Sequence, residues 1–308
     1  MASNDLTYKW KTANIMIKLI VINAVVFLVG TLGSWIIKMS TGNDFFSSYD
    51  LLKWFVLPSN LGSLILQVWG VITYAFVHFG FWHIFWNMLM LYWFGQYVLN
   101  LFTEKRFLTI YLLGGICGGI LFVLAYNIFP GLNKGGDSFL LGASAAVLAI
   151  VIFIATYTPN AEIRVFFFTV KLWQVGLFMV LMDLIQLPNQ HPTTGNAGGL
   201  IAHIGGAAFG YLYAIQLKKG NDLGAGFEKF MDSIAGLFKP RKKSPLKTVH
   251  KSKKRTTTNT STTAKTNGSG VKSEHQAKID AILDKISKSG YESLTKEEKD
   301  FLFKAGKE

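Results

Sequence analysis

The stretch Thr73-Tyr74-Ala75-Phe76-Val77-His78-Phe79-Gly80-Phe81-Trp82-His83-Ile84-Phe85-Trp86-Asn87 is mostly apolar, yet it carries two histidines and an asparagine. Hydrocarbon tolerates such groups poorly: insertion scales put a charged side chain at the middle of a spanning helix at roughly 2.5–3.5 kcal/mol. A polar residue kept at that depth marks a functional site. Two later apolar stretches repeat the pattern, with Ser144 in Gly142-Ala143-Ser144-Ala145-Ala146 and His203 in Ala202-His203-Ile204-Gly205-Gly206. A nucleophile, a base and two donors, His83 and Asn87, point to acyl-transfer chemistry inside a membrane.

The composition agrees. The 308 residues are 50% hydrophobic and 14% aromatic, with a mean hydropathy of +0.32, which excludes an ordinary soluble domain and describes an all-α polytopic membrane protein. Six apolar stretches are predicted to be helices, at 15–38, 78–99, 106–129, 140–158, 164–187 and 199–217. Each is near the ~20 residues that cross hydrocarbon. Lys9, Lys11 and Lys18 precede or enter the first, but no convincing small-residue cleavage site follows, so it is read as an uncleaved anchor. The single cysteine, Cys117, has no partner within the chain for a disulfide and is read as a packing residue.

Basic residues set the expected orientation. Lys9, Lys11, Lys105, Arg106, Arg164, Lys218 and Lys219 flank one side, against Lys53 and Lys134 on the other, so the positive-inside rule makes both termini cytoplasmic. Lys18 and Lys171 then fall near cytoplasmic ends, within snorkelling reach of headgroups. Helices two, four and six run from outside to inside under this topology. His83, Asn87, Ser144 and His203 all fall in their outer halves, on the order of 5–15 Å below the outer surface at 1.5 Å rise per residue.

The segment from Thr73 to Asn87 closely resembles helix two of the rhomboid intramembrane serine proteases. Two further signatures follow in order: Gly142-Ala143-Ser144-Ala145 is similar to the family's Gly-x-Ser-x motif, and Ala202-His203-Ile204-Gly205-Gly206-Ala207-Ala208-Phe209-Gly210 to its Ala-His-x-x-Gly-x-x-x-Gly helix. The resemblance covers about residues 10–218 and implies a six-transmembrane-helix bundle. It implies Ser144 as nucleophile, His203 as base, and an oxyanion site from His83, Asn87 and the Ser144 N–H. Gly142 would let the loop before helix four approach closely, and Gly206 and Gly210 would let helices four and six pack tightly. No metal or other cofactor is expected.

Blander readings stand beside these. Ser144 alone could be a small packing residue, and His203 alone an interhelical hydrogen-bonding group. His78, at the mouth of helix two, is expected to bond the loop between helices one and two. His78, His83 and His203 as a metal set lack a carboxylate or a His-Glu-x-x-His pattern. Asp183 is expected to reach interfacial water, with a third-member role beside His203 as the alternative. His191, His250 and His275 read as solvated. Three departures from the better-known pattern stand out: Leu148 replaces the aromatic residue that stacks on the histidine, a first-loop Trp-Arg pair is missing, and Asn100 stands where a glutamate is typical.

The first external loop, around 39–67, holds Leu51, Leu52, Trp54, Phe55, Val56, Leu57 and Pro58, which suits an interfacial position. Residues 188–198, with Pro188, Pro192, Gly195 and Gly198, suit a mobile cap. From 218 onward lie 21 of the 31 basic and 11 of the 18 acidic residues. Segment 239–255 has nine Lys or Arg and no acid, and follows an amphipathic stretch with Phe227, Phe230, Ile234 and Leu237 on one face. It is expected to tether anionic lipid, with a solvated linker as the alternative and nucleic acid not expected.

The resulting division is a cytoplasmic N-terminus 1–14, a membrane domain 15–217, a juxtamembrane segment 218–238, a disordered linker 239–272 and a helical module 273–308. Ser273 to Gln276 and Thr295 to Glu298 read as capping boxes opening two helices of the module, with Gly290 between them. It resembles a module appended to some bacterial rhomboids, suits a protein partner, and suggests a bacterial inner membrane. The expected function is proteolysis of single-pass membrane proteins near the outer boundary. The alternatives are a catalytically silent rhomboid-like chaperone or binder, and a transporter, against which no internal repeat or midplane ion pair is detected.

Overall fold

An apolar run becomes a helix where its first free N–H groups find an acceptor, and Asn14 supplies one: its side-chain oxygen accepts the Ile17 N–H at 3.0 Å. Helix α1 follows over Ile15–Thr41 and ends at Gly42, whose φ of 64° is the left-handed conformation of a helix stop. The computed structural model describes residues 2–132, 138–165, 168–190, 195–238 and 270–305. Five more apolar helices build the membrane domain: α2 (Phe81–Leu101), α3 (Glu104–Ile128), α4 (Ser144–Tyr157), α5 (Leu172–Gln186) and α6 (Ala197–Lys218).

By length and apolarity α1, α3, α6 and α5 with its continuation to Asn189 can each cross a membrane; α4 is equally apolar but shorter. The chain is therefore an all-α, multi-pass membrane protein, and its six helices are compatible with the six predicted spans. Three of their starts differ from the predicted ones by three residues or more. Helix α2 begins at Phe81, which leaves His78 in the preceding loop, and α4 begins at Ser144.

The largest difference is in the fifth stretch. Residues Glu162–Val165 and Phe168–Lys171 are strands β3 and β4 of an antiparallel hairpin, pairing Ile163 with Val170 and Arg164 with Thr169. Their β-branched side chains favour a pleated surface, so the predicted helix at 164 starts only at Leu172. The earlier strands, β1 (Leu57–Pro58) and β2 (Phe139–Leu140), pair antiparallel and fasten the first external loop to the segment leading into α4.

That first loop is a series of short turns of helix, including Ser48–Leu52, Leu61–Leu66 and Gly70–Thr73. Leu52, Val56 and Leu57 point into the protein while Trp54, Phe55, Ile65 and Leu66 are exposed. This is the two-sided character of a segment lying at an interface.

Helix α4 is the centre of the bundle. It is apolar all round, and every residue from Ala145 to Ala155 is buried, as expected of a helix with no polar face. Small residues at four-residue spacing make this possible by bringing backbones together. A Cβ added at Gly206 would strike the Ala145 carbonyl oxygen, one at Gly210 the Ala149 carbonyl, and one at Gly118 would lie 2.7 Å from both Ala145 Cβ and the Ala202 carbonyl oxygen. Helices α3, α4 and α6 are thus locked by backbone contact.

Past Lys218 an amphipathic helix, α7 (Ala225–Phe238), leaves Phe230, Ile234 and Leu237 exposed. It is tied back to the start of α3: Lys105 Nζ pairs with Asp232 at 2.7 Å, and Arg106 pairs with Asp222 and Glu228. Burial works against the Asp222 carboxylate, but the Tyr213 hydroxyl, the Gly224 N–H and Arg106 together hold its pKa below the ordinary value.

The second unit, Lys242–Glu308, contains α8 (Gly270–Ser289) and α9 (Lys296–Ala305). Helix α8 starts at Gly270, so the end of the expected linker, 270–272, is helical. Thr295 and Glu298 form the reciprocal cap anticipated for the second helix, and Lys285 Nζ reaches both Glu298 oxygens at 2.9 Å. Ile282 and Leu294 are buried between the helices, and Gly290 turns the chain at φ 76°. Lys134, His191, Pro192, His250, the basic segment 239–255 and the linker 256–269 lie outside the described residues, as do the side chains of Ser273 and His275.

Candidate active site

Ser144 is the first residue of α4, and Ala143 before it offers no side-chain cap. The N–H groups of a first helical turn have no intrahelical acceptor, and the helix dipole adds partial positive charge there. An uncapped start beside a serine is therefore a place where an anion is welcome.

The loop that delivers Ser144 is held by two backbone N–H groups. The Gly142 N–H donates to the Tyr74 carbonyl at 3.0 Å, and the Ala143 N–H donates to His78 Nε2 at 3.2 Å. Tyr74 in turn donates its hydroxyl to the Gly115 carbonyl on α3 at 2.6 Å. Gly142 has φ 107°, and a Cβ there would lie 2.6 Å from His83 Nε2, so conformation and space both require glycine. The expected contact of His78 with the loop between helices one and two is replaced by this one. Once α2 starts at Phe81, His78 turns inward, fully buried, toward the approach to α4.

His83 and Asn87 lie one turn apart on α2. The Asn87 amide donates one hydrogen to the His83 carbonyl at 2.8 Å, which leaves its other hydrogen for a ligand. The His83 ring meets that of His78 edge-on, with centroids 4.9 Å apart.

A cavity of about 840 Å³ gathers these residues, with Ser144, His203, His83 and Asn87 all on its wall. Leu148, buried one turn below Ser144, supplies an apolar wall to the cavity, in the place where the better-known pattern has an aromatic ring. Trp82 and Trp86 of α2 and Phe178 and Met182 of α5 frame it, and all four are exposed on the bundle's side.

Asp183 departs from its expected place. Its carboxylate was expected to meet interfacial water, but Oδ2 lies 2.9 Å from His203 Nδ1, and only 15% of the Asp183 side chain is exposed. The sequence signal was its depth, in the outer half of α5 level with His203; the direction of the side chain was not legible there. Tyr74 and the Arg106–Asp222–Glu228 cluster were not anticipated at all, because their partners are distant in sequence.

Comparison with known proteins follows the same lines. The Rhomboid domain family matches residues 66–220, which contain every residue of the cavity wall named above. A family of unknown function, DUF6576, matches residues 269–305, the helical hairpin. Among curated relatives, RHOMBOID-like protein 12, mitochondrial, of Arabidopsis thaliana is 28% identical over 218 residues, 67% of this chain and 59% of its own. Rhomboid protein 1, mitochondrial, of Saccharomyces cerevisiae is 28% identical over 214 residues, 69% of this chain and 56% of its own. The chain thus spans little more than half the length of these two. Inactive RHOMBOID-like protein 8 of Arabidopsis thaliana is 32% identical over 99 residues, 32% of this chain and 27% of its own. The relatives named mitochondrial lend no support to the bacterial membrane expected from the sequence. With the family match covering half of the chain and the three motifs converging on one cavity, the protein belongs to the rhomboid family.

Proposed function

We propose that the protein is an intramembrane serine endopeptidase acting on single-pass membrane proteins near the outer membrane boundary. The observation that carries this reading is the convergence of Ser144, His203, His83 and Asn87, from three helices, on one cavity at the uncapped start of α4. In this mechanism His203 Nε2 takes the Ser144 hydroxyl proton as Oγ bonds to the scissile carbonyl carbon. Asn87, His83 and the Ser144 N–H hold the resulting oxyanion. The proton then passes to the leaving amine as the C–N bond breaks, and water repeats the sequence to free Ser144.

A substrate helix would enter sideways between α2 and α5, past Trp82, Trp86, Phe178 and Met182. The orientation proposed with it places the basic connections and both termini on the inner side of the membrane. The basic segment 239–255 would bind anionic lipid, and the hairpin 273–308 would take a protein partner.

A catalytically silent binder is the second reading, favoured by the similarity to a relative named inactive and by Leu148 beside the histidine. The test is a serine-reactive fluorophosphonate applied to the detergent-purified chain and read by intact mass. One adduct, absent from Ser144→Ala and His203→Ala, is the expected result. A folded wild-type protein that takes no adduct would favour the silent binder.

A further inference from the structure

Asp183 takes no part in the mechanism above, yet its carboxylate sits 2.9 Å from the nitrogen of His203 that the mechanism leaves unused. The His203 side chain is itself only 19% exposed, so the contact is largely shielded from water. A carboxylate has only acceptor sites, so the shared proton resides on Nδ1 and the lone pair on Nε2. Among the described residues, Asp183 has no Lys or Arg as an ion-pair partner.

The helix that carries Asp183 gives the contact a second aspect. Helix α5 buries only Leu172 and Gly176, both in its first two turns, while Leu177, Phe178, Leu181, Leu184 and Ile185 are exposed. Among the described residues, the bond to His203 is the side-chain hydrogen bond that joins the cavity-bordering half of α5 to α6. The orientation of the imidazole therefore depends on where this weakly packed half of α5 stands.

We propose that Asp183 is a positioning residue for the catalytic base: it holds His203 as the Nδ1–H tautomer with Nε2 free for Ser144, and does so only while α5 is seated against α6. When Nε2 accepts the Ser144 proton, the same carboxylate faces the imidazolium that forms. The proton stays on His203 until it passes to the leaving group, and Asp183 itself neither gains nor loses one. This inference rests on the serine-protease reading.

Two measurements on the full-length protein in detergent test it. The first compares fluorophosphonate labelling rates of wild type and Asp183→Asn, with thermal unfolding of each followed in parallel. An amide can offer its own N–H to Nδ1 and select the wrong tautomer. Labelling should slow at least about tenfold with little change in melting, and could approach the roughly 10⁴-fold loss of a comparable aspartate-to-asparagine change. An unchanged rate in folded Asp183→Asn overturns the role of Asp183 and leaves the protease reading intact. A folded wild type that takes no label at Ser144 overturns the protease reading, and this inference with it. The second measurement needs no folded variant at position 183. In ¹⁵N histidine spectra of the wild type, with His203→Ala identifying the resonance, the neutral ring should be protonated on Nδ1. An Nε2–H resting ring overturns the proposal.

Discussion

Helices α4 and α5 are neighbours of almost equal length, 14 and 15 residues, and of nearly pure apolar composition, yet one is the buried axis of the molecule and the other lies largely uncovered. Between apolar helices in a membrane there is no water to expel, so apolarity alone cannot decide which is inside. Close approach decides it. Helix α4 offers Ala145, Ala146 and Ala149 to the glycines of α3 and α6, so backbones touch and dispersion contacts accumulate. Helix α5 carries leucines, methionines and a phenylalanine that hold neighbours at a distance, and makes one such contact, at Gly176 against Ala155.

The proposed chemistry divides along the same line. Ser144 stands on the rigid helix, and the bond to Asp183 reaches the base from the loosely held one. Proteins place moving elements where local stability is low, and α5 meets that description on packing grounds.

Five substitutions sharpen or break this contrast, from the largest effect to the smallest. Ser144→Ala and His203→Ala should each remove on the order of 10⁶ in turnover, and the double variant should be no worse, because members of one catalytic unit are not additive. A His203→Ala protein with near-wild-type cleavage would dissolve the unit. Asn87→Ala should cost on the order of 10²–10³ in kcat through loss of one oxyanion donor. Unchanged turnover in the purified, folded variant would remove Asn87 from the mechanism.

The next two concern stability and should separate the helices directly. Gly206→Ala drives a methyl group into the Ala145 carbonyl, which cannot move without moving α4, so unfolding in denaturing detergent should come earlier by about 1–3 kcal/mol. Leu181→Ala, on the uncovered face of α5, should stay within about 0.5 kcal/mol of wild type. Equal costs at the two positions would mean that α5 is packed as firmly as α4.

Much of this was legible in the sequence, and the reasons are specific. Apolar length marked the six helices, and Gly206 and Gly210 marked the contact of α4 with α6, whereas the glycines of α3 that meet α4 carry no motif that sets them apart. The hairpin at Glu162–Lys171 was misplaced into a helix because hydropathy does not distinguish a β-branched apolar strand from a helical run. His78 was assigned to the wrong loop because its partner, the Ala143 N–H, lies 65 residues away and is a backbone group with no sequence signature. For Asp183 the sequence sets the depth and leaves two directions, interfacial water first and His203 as the alternative, and the 2.9 Å contact matches the alternative. Depth follows from counting 1.5 Å per residue, whereas azimuth depends on which face of α5 meets α6.

The central claim is that Ser144 and His203 meet as nucleophile and base, and a peptide chloromethyl ketone tests it most directly. Such a reagent bonds a serine oxygen through its carbonyl and a histidine nitrogen through its methylene only when both flank one bound molecule. Mass spectrometry of the digested adduct should find the Ser144 and His203 peptides joined through a single inhibitor, with no joined product from Ser144→Ala. Alkylation of His203 with Ser144 untouched, or no adduct on a folded protein, would contradict it.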